Sequence, residues 1–412
     1  MKLLYAISIR LYGFAIGVVS LWNPKAKQWI VGRKNWKKNL NQALGDKKNI
    51  HWFHCASLGE FEQARPLIEK IKTESPSTPI LVSFFSPSGY EQRKNYELAT
   101  YVCYLPLDTK KNAQQFVATL HLAKVFFVKY EVWPNYFAQL ASKKIPFYLI
   151  SATFRPSQLY FKPAGKWFKK LLTLPTQLFV QNEDSQLLLS SHKIDSILAG
   201  DTRYDRVRAT AQKAVPNEII EEFCSSKFTL IAGSSWEKEE SIIVSFLKEN
   251  PGKIKVVFAP HDIGESHVSG IENILPNEVT YLRYSQVSKE VNLRELDVLI
   301  LDNIGLLSNA YQYGKVAFVG GGFTNALHNI LEPATFGLPV FYGNNHPKFP
   351  EGEEMAKEGS GFRINRYEEF ERNLLRLILA ENEWEAMSRK NKEFIESSVG
   401  ATELVYRSTQ ES

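Results

Sequence analysis

Cysteine is scarce in this chain of 412 residues: Cys55, Cys103 and Cys224 are the only three, far apart and with no CxxC pair. An odd number at that spacing argues against a disulfide framework or a thiolate zinc site and fits a reducing compartment. There is no short-period repeat and no low-complexity tract. Hydrophobic residues make up 44% and charged ones 23%, which excludes a disordered or fibrous protein. The phosphate loop GxxxxGK[ST] is missing, and so is a GxGxxG fingerprint in the first βαβ unit, which disfavours an NAD oxidoreductase. The length exceeds one ordinary core and suits two domains of about 200 residues.

Acidic residues are almost missing from the first 50 positions, where Asp46 stands alone against ten bases (Lys2, Arg10, Lys25, Lys27, Arg33, Lys34, Lys37, Lys38, Lys47, Lys48). That segment carries +9 of a total of +6, and the other 362 residues are slightly acidic at −3. The same stretch holds the most apolar runs, Leu3–Ile9 and Leu11–Trp22, interrupted by Arg10. As a helix, Leu11–Trp22 spans roughly 18 Å, against about 30 Å for a bilayer core. Extending it back to Leu3 places Arg10 in hydrocarbon, at about 2.5 kcal/mol or more. No small-x-small cleavage site precedes Asn23-Pro24, so a secretory signal fits poorly. Cations then alternate with Trp29 and Trp36, and tryptophan favours the headgroup level. We expect a membrane anchor or monotopic foot on the cytoplasmic side, with Lys34, Lys37 and Lys38 against an anionic surface. A buried N-terminal helix with a solvated basic loop is the plainer alternative. Nucleic acid is not expected, because the cations are confined beside an apolar run.

From residue 50, short β-rich runs alternate with amphipathic stretches. Strands are expected at Ile50–Cys55, Pro79–Phe84, Tyr101–Leu105, Lys124–Lys129, Pro146–Ile150 and Gln177–Val180. After a polar stretch to Pro216 they resume at Phe228–Ala232, Lys255–Ala259, Val298–Leu301, Val316–Gly320 and Pro339–Phe341. The alternation indicates an α/β protein with two Rossmann-like domains of parallel sheet facing across a cleft. The expected divisions are a foot over 1–48, a first domain over 49–205, a second over 206–383 and a C-terminal helical region over 384–412. The helix expected over Trp384–Ser397 is a candidate to pack back on the first domain.

Four segments carry chemistry. Glu60, in His54-Cys55-Ala56-Ser57-Leu58-Gly59-Glu60, opens a helix after a strand, where a carboxylate is either a base aimed at a ligand or a helix cap. Glu131, in Lys129-Tyr130-Glu131-Val132-Trp133-Pro134-Asn135, sits at a strand exit, with Pro134 suited to a first helical turn. Ser234 and Ser235, in Ala232-Gly233-Ser234-Ser235-Trp236-Glu237, form a small-residue turn of the kind that binds phosphate. Gly320-Gly321-Gly322-Phe323 permits close approach of a ligand, and His328-Asn329-Ile330-Leu331-Glu332-Pro333 places Asn329 and Glu332 one helical turn apart. A Glu there suits ribose hydroxyls.

Together these segments and Gly200-Asp201-Thr202-Arg203-Tyr204-Asp205 resemble the bacterial 3-deoxy-D-manno-octulosonic acid (Kdo) transferases, from the foot to about residue 362. The resemblance implies a GT-B glycosyltransferase of the lipid IVA Kdo transferase type, in lipopolysaccharide biosynthesis. Its donor would be CMP-Kdo, its acceptor lipid IVA (a lipid A precursor), and its place the cytoplasmic face of the cell inner membrane. It further implies Glu60 as general base, Glu131 supporting the same site, and a CMP-sugar site of Ser234, Ser235, His261, Gly321, Gly322, His328, Asn329 and Glu332. No metal or cofactor is implied. Two departures lie on the donor side. The arginine usual in the family's Pro-Arg-His is missing from Ala259-Pro260-His261-Asp262, and Ala326-Leu327 stands where the family usually has Gly-Gly. The chemistry is coherent with an inverting single displacement: phosphate contacts help CMP depart while a base opposite takes the acceptor proton. A GT-B transferase using a UDP-sugar on another membrane lipid is the alternative.

Overall fold

The computed structural model describes residues 1–324, 326–345 and 349–410. The chain forms two units. The first is residues 1–205 together with the stretch from Val399, and the second is residues 206–398.

The first unit is built on a seven-stranded sheet of β1 (Ile50–Cys55), β2 (Ile80–Phe84), β3 (Tyr101–Tyr104), β4 (Leu122–Val128), β5 (Phe147–Ala152), β6 (Gln177–Val180) and β7 (Ile197–Leu198). Their order is β3-β2-β1-β4-β5-β6-β7, and every pairing is parallel. Helices on both faces bury these strands, so β2 (ILVSF) and β5 (FYLISA) are buried at every position and read as continuous apolar runs. The second unit repeats the design with β8 (Thr229–Ser235), β9 (Lys255–Pro260), β10 (Tyr281–Arg283), β11 (Val298–Ile300), β12 (Val316–Val319), β13 (Val340–Gly343) and β14 (Gly361–Ile364). The order there is β10-β11-β9-β8-β12-β13-β14, again all parallel. Each sheet thus starts at its centre, runs to one edge, then resumes on the other side of its first strand. The short edge strands β7, β10 and β14 carry too little apolar sequence to stand out, and the sequence pattern missed all three.

The N-terminal helix Lys2–Val19 has no buried residue. One face nevertheless docks on the first unit: the Tyr5 hydroxyl donates to Asp108 at 2.7 Å, and Tyr12 stacks on Phe85 with centroids 6.0 Å apart. The opposite face shows Leu3, Leu4, Ile7, Leu11, Phe14 and Val18 to solvent, with Leu3 73% and Phe14 72% exposed. Lys34, Lys37 and Lys38 are exposed as expected.

Three residues counted toward the membrane surface are placed elsewhere. Trp29 is buried in the core, and Trp36 is half-buried against Phe116 at 5.8 Å. Arg33 turns inward: its guanidinium lies 3.7 Å over the Trp29 ring and donates to the carbonyls of Leu105 (2.8 Å), Trp29 (3.0 Å) and Phe85 (2.8 Å). Burial lowers its pKa to about 9. Beside the N-terminal helix lies the helix Lys166–Leu171, whose Trp167 and Phe168 pack on Tyr5 at 5.9 and 6.1 Å. Its Lys166 and Lys170 are exposed beside the foot.

The helix expected over Trp384–Ser397 forms as part of Glu381–Ser398 but stays in the second unit. Gly400, at φ +113°, then breaks the chain, and a further helix, Ala401–Gln410, packs on Leu58–Glu74 of the first unit. Asp205 starts that last helix: its carboxylate accepts from Gly400 N (2.6 Å), Thr402 N (2.8 Å) and Thr402 Oγ1 (2.8 Å). Asp205→Ala should therefore destabilise the docked helix by about 2 kcal/mol, a factor of roughly 30 in its opening equilibrium. Hydrogen exchange of the amides in 401–410 measures this, and rates equal to wild type would show that the helix is held without Asp205.

Candidate active site

In each sheet the strand order reverses beside the first strand, between β1 and β4 and again between β8 and β12. At such a point the two following loops leave in opposite directions and open a crevice at the carboxyl ends of the strands, where α/β proteins bind ligands. All four segments singled out from the sequence lead from these four strands.

In the first unit, β1 leads into the helix Leu58–Glu74, with Glu60 in its first turn. The Glu60 Oε2 accepts from Ser57 N at 2.6 Å and from Ser57 Oγ at 2.9 Å, which orients the carboxylate and caps the helix. The other chain leaves β4 through Lys129, held at φ +58°. A left-handed conformation at a non-glycine residue costs on the order of 1 kcal/mol or more, and here it turns Glu131 back toward β1. Trp133 Nε1 donates to Glu131 Oε2 at 3.1 Å. Burial and the neighbouring charge of Glu60 push the Glu131 carboxyl up to about 8, opposed by the Trp133 hydrogen bond and Lys129. The Cys55 thiol is pushed up by burial and by both carboxylates, which places Cys55 beside the same pair. Glu60 and Glu131, about 70 residues apart in sequence, are therefore neighbours.

In the second unit, β8 ends in a bulge at Ser234, with φ +50°. The Ser235 hydroxyl is fully buried and donates to Glu240 Oε1 at 2.9 Å, and that oxygen also pairs with His267 Nε2 at 2.9 Å. Ser235 is thus committed to the protein, which leaves Ser234 at the turn's surface. After β12, a Cβ on Gly320 would stand 2.0 Å from the Ser234 carbonyl, and one on Gly322 would stand 2.4 Å from Gly343 N. What these glycines admit is the chain's own backbone, where the sequence suggested a ligand. Gly321 N donates to Glu239 Oε1 at 3.0 Å, fixing the turn to the helix Glu237–Glu249.

Trp236, His261 and His328 stack in sequence, with centroids 4.4 and 4.7 Å apart. Burial and the nearby His261 lower the His328 pKa to about 4, so its ring is neutral at physiological pH. Asn329 does not lie on a helix as its spacing suggested. It precedes the short helix Leu331–Thr335, accepts from Leu331 N at 3.1 Å and donates to Glu332 Oε1 at 3.1 Å. Glu332 also accepts from Ser308 Oγ at 3.0 Å, and its charge faces Arg206. Sequence reasoning missed Trp133, Trp236, Glu239, Glu240 and His267. The available signal was an acid three residues after Trp236, at the third position of a helix.

The raised Glu131 has a consequence for stability. Well below its ordinary value of 4.5, folded and unfolded chains both hold the proton. From there to about 8 the folded chain retains a proton that the unfolded chain releases, so stability falls as pH rises, and above 8 the penalty is complete. Glu131→Gln should match wild type in Tm at the acid end and gain progressively on it, to a few kcal/mol at the alkaline end. A Tm difference that does not change with pH would mean that Glu131 is not held protonated.

Residues 34–206 match the family model described as 3-deoxy-D-manno-octulosonic-acid transferase (kdotransferase). A 3-deoxy-D-manno-octulosonic acid transferase of Aquifex aeolicus is 28% identical over 351 residues, covering 83% of this chain and 90% of that protein. One of Haemophilus influenzae is 25% identical over 359 residues, covering 84% and 82%. A bifunctional glycosyltransferase/methyltransferase of Fusobacterium nucleatum is 24% identical over 384 residues, or 89% of this chain, which spans 58% of that longer protein. Among solved structures, a UDP-GlcNAc 2-epimerase of Neisseria meningitidis superposes with a TM-score of 0.59 at 16% identity, over 89% of this chain and 100% of that one. Acinetobacter baumannii MurG superposes with a TM-score of 0.56 at 13% identity, also over 89% and 100%. These two share the fold: paired Rossmann-like units of the GT-B kind. With a domain match over residues 34–206 and curated relatives aligned over more than four fifths of its length, this chain is similar to the Kdo transferases.

Proposed function

We propose that this protein transfers Kdo from CMP-Kdo to lipid IVA, with inversion, at the cytoplasmic face of the inner membrane. The observation that carries the reading is the pairing of Glu60 and Glu131 at the strand reversal of the first unit. Glu60 takes the proton of the acceptor hydroxyl, whose oxygen bonds to the anomeric carbon of Kdo. The bond from that carbon to the phosphate oxygen breaks, and CMP leaves with the electron pair. Glu131, kept protonated beside Glu60, holds the pair at one negative charge. Two carboxylates would otherwise repel a donor that carries both a carboxylate and a phosphate.

The second unit supplies the donor site in this reading. Ser234 and nearby backbone amides meet the phosphate, the Trp236–His261–His328 stack offers a flat face to the base, and Asn329 and Glu332 receive the ribose hydroxyls. The neutral His328 can donate one hydrogen bond without adding charge. The matches to Kdo transferases support the sugar. Mass spectrometry of the product formed by purified protein from CMP-Kdo and lipid IVA tests the reading. Glu60→Gln should lower turnover by about 100-fold or more while CMP still raises Tm, as expected for a lost general base. A variant keeping a tenth of wild-type turnover removes Glu60 from that role, and stabilisation by UDP rather than CMP points to a different donor.

The foot fits a monotopic attachment. Lys2–Val19 meets the length and hydropathy of a membrane span, yet Tyr5 is hydrogen-bonded to Asp108 of the folded unit. A helix docked along one side presents only its outer face, Leu3 to Val18, to lipid. Exposed Lys34, Lys37 and Lys38 each add about 1 kcal/mol near an anionic surface. Changing all three to Glu should lower flotation with anionic vesicles and spare turnover on detergent-dispersed acceptor. Undiminished flotation in high salt would point to a spanning helix.

A further inference from the structure

The helix Lys2–Val19 reaches the Glu131 loop through one intermediate residue on each side, Asp108 and Phe85. On one side, the Tyr5 hydroxyl donates to Asp108 Oδ2 at 2.7 Å. The same buried carboxylate accepts from Asn135 N at 3.0 Å and Tyr136 N at 3.1 Å, the first turn of the helix Pro134–Ser142. The Asn135 amide closes the arrangement on the Asp108 carbonyl at 2.6 Å. On the other side, Tyr12 stacks on Phe85, and Phe85 lies 5.0 Å from Trp133. Trp29 braces both Tyr12 and Phe85 at 6.1 and 5.7 Å. Trp133 meets His54 edge-on at 5.4 Å, which leaves its N–H aimed at Glu131.

The loop from Lys129 to Asn135 is short, begins at a strained residue and ends at a proline-started helix. At both sides the loop rests on a residue that the N-terminal helix touches, Asp108 and Phe85. We propose that this helix is a positioning element of the transfer site: by holding Asp108 and Phe85 it keeps the Trp133 indole on Glu131. The proposal rests on the reading that places Glu131 in the transfer site, and it makes Tyr5, Tyr12 and Trp133 positioning residues for the reaction. The foot then does more than hold the enzyme at a surface.

The groups facing Glu131 are Glu60 from the helix Leu58–Glu74, Cys55 at the end of β1, Lys129 and Tyr130 of its own loop, and Tyr160 from the turn Leu159–Phe161. Beside them, Trp133 contributes a hydrogen bond that favours the ionised form, so losing it moves the Glu131 inflection to higher pH.

The test compares full-length wild type with Trp133→Phe, Tyr5→Phe, Tyr12→Leu, Glu131→Gln and the outer-face double variant Leu11→Ser/Phe14→Ser. All are assayed on detergent-dispersed lipid IVA with CMP-Kdo, so delivery to a membrane plays no part. Glu131→Gln identifies the inflection by abolishing it. Trp133→Phe should shift the inflection upward by about half a pH unit or more and lower kcat about 10- to 100-fold, with donor KM unchanged. Tyr5→Phe, which removes one oxygen and retains the ring, and Tyr12→Leu should shift it in the same direction by less. The outer-face variant should keep the wild-type profile. If Tyr5→Phe and Tyr12→Leu give wild-type profiles while Trp133→Phe shifts, the helix is an anchor alone and the proposal falls. It falls equally if Trp133→Phe leaves the profile unchanged. Wild-type turnover with an intact inflection in Glu131→Gln is a separate result, which overturns the reading of Glu131 beneath the proposal.

Discussion

A parallel sheet brings the carboxyl ends of all its strands to one edge, and only where the strand order reverses do two neighbouring loops part and leave room. The candidate chemistry of this protein follows that constraint twice. In the first unit the reversal brings together a carboxylate after β1 and another after β4, so residues distant in sequence become a coupled pair. In the second it sets the Ser234 bulge against the glycine turn, and the crowding is severe enough that only glycine fits at Gly320 and Gly322. Left-handed backbone at Lys129 and Ser234 marks the same two places. The strain sits where loops must turn sharply to bring side chains back over strand ends.

Much of this was legible in the sequence, because buried parallel strands are apolar on both faces and the runs Ile50–Cys55 and Gln177–Val180 coincide with the strands observed. Glu60 and Glu131 stood out because each follows a strand at the end where such sheets bind ligands, although capping a helix was the alternative for both. Three-dimensional partnerships were not legible. Nothing near Ser235 in the sequence says that its hydroxyl faces Glu240 and His267. Nothing near Asn329 says that it stands before its helix and hydrogen-bonds into the first turn.

Charge was the poorest guide to location. Arg33 lies in the most basic stretch of the chain and reads as a surface cation, yet it is enclosed by three rings and three carbonyls. Lys255 repeats the pattern in the second unit, fully buried with the carbonyls of Phe223 and Leu293 at 2.9 and 3.0 Å. A cation satisfied by backbone oxygens needs no acidic partner, so pairing charges along the sequence cannot reveal it. Such residues fasten loops to strands, and replacing them leaves carbonyls without donors as well as removing a charge.

The helix Ala401–Gln410 belongs to the first unit although the whole second unit separates it from the rest of that unit in sequence. Val405 enters the core beside Phe53 and Ile68, Glu403 pairs with Lys70 at 3.0 Å, and the Thr409 carbonyl receives Lys124. During synthesis, therefore, the ribosome releases the first unit long before its last piece exists. For the time needed to make nearly 200 further residues, Asp205 has no helix to cap and the Val405 position in the core is vacant. The incomplete unit exposes apolar surface in that interval, when association with chaperones or neighbouring chains is favoured. Arrival of this helix closes the first core only after the whole second unit has been made.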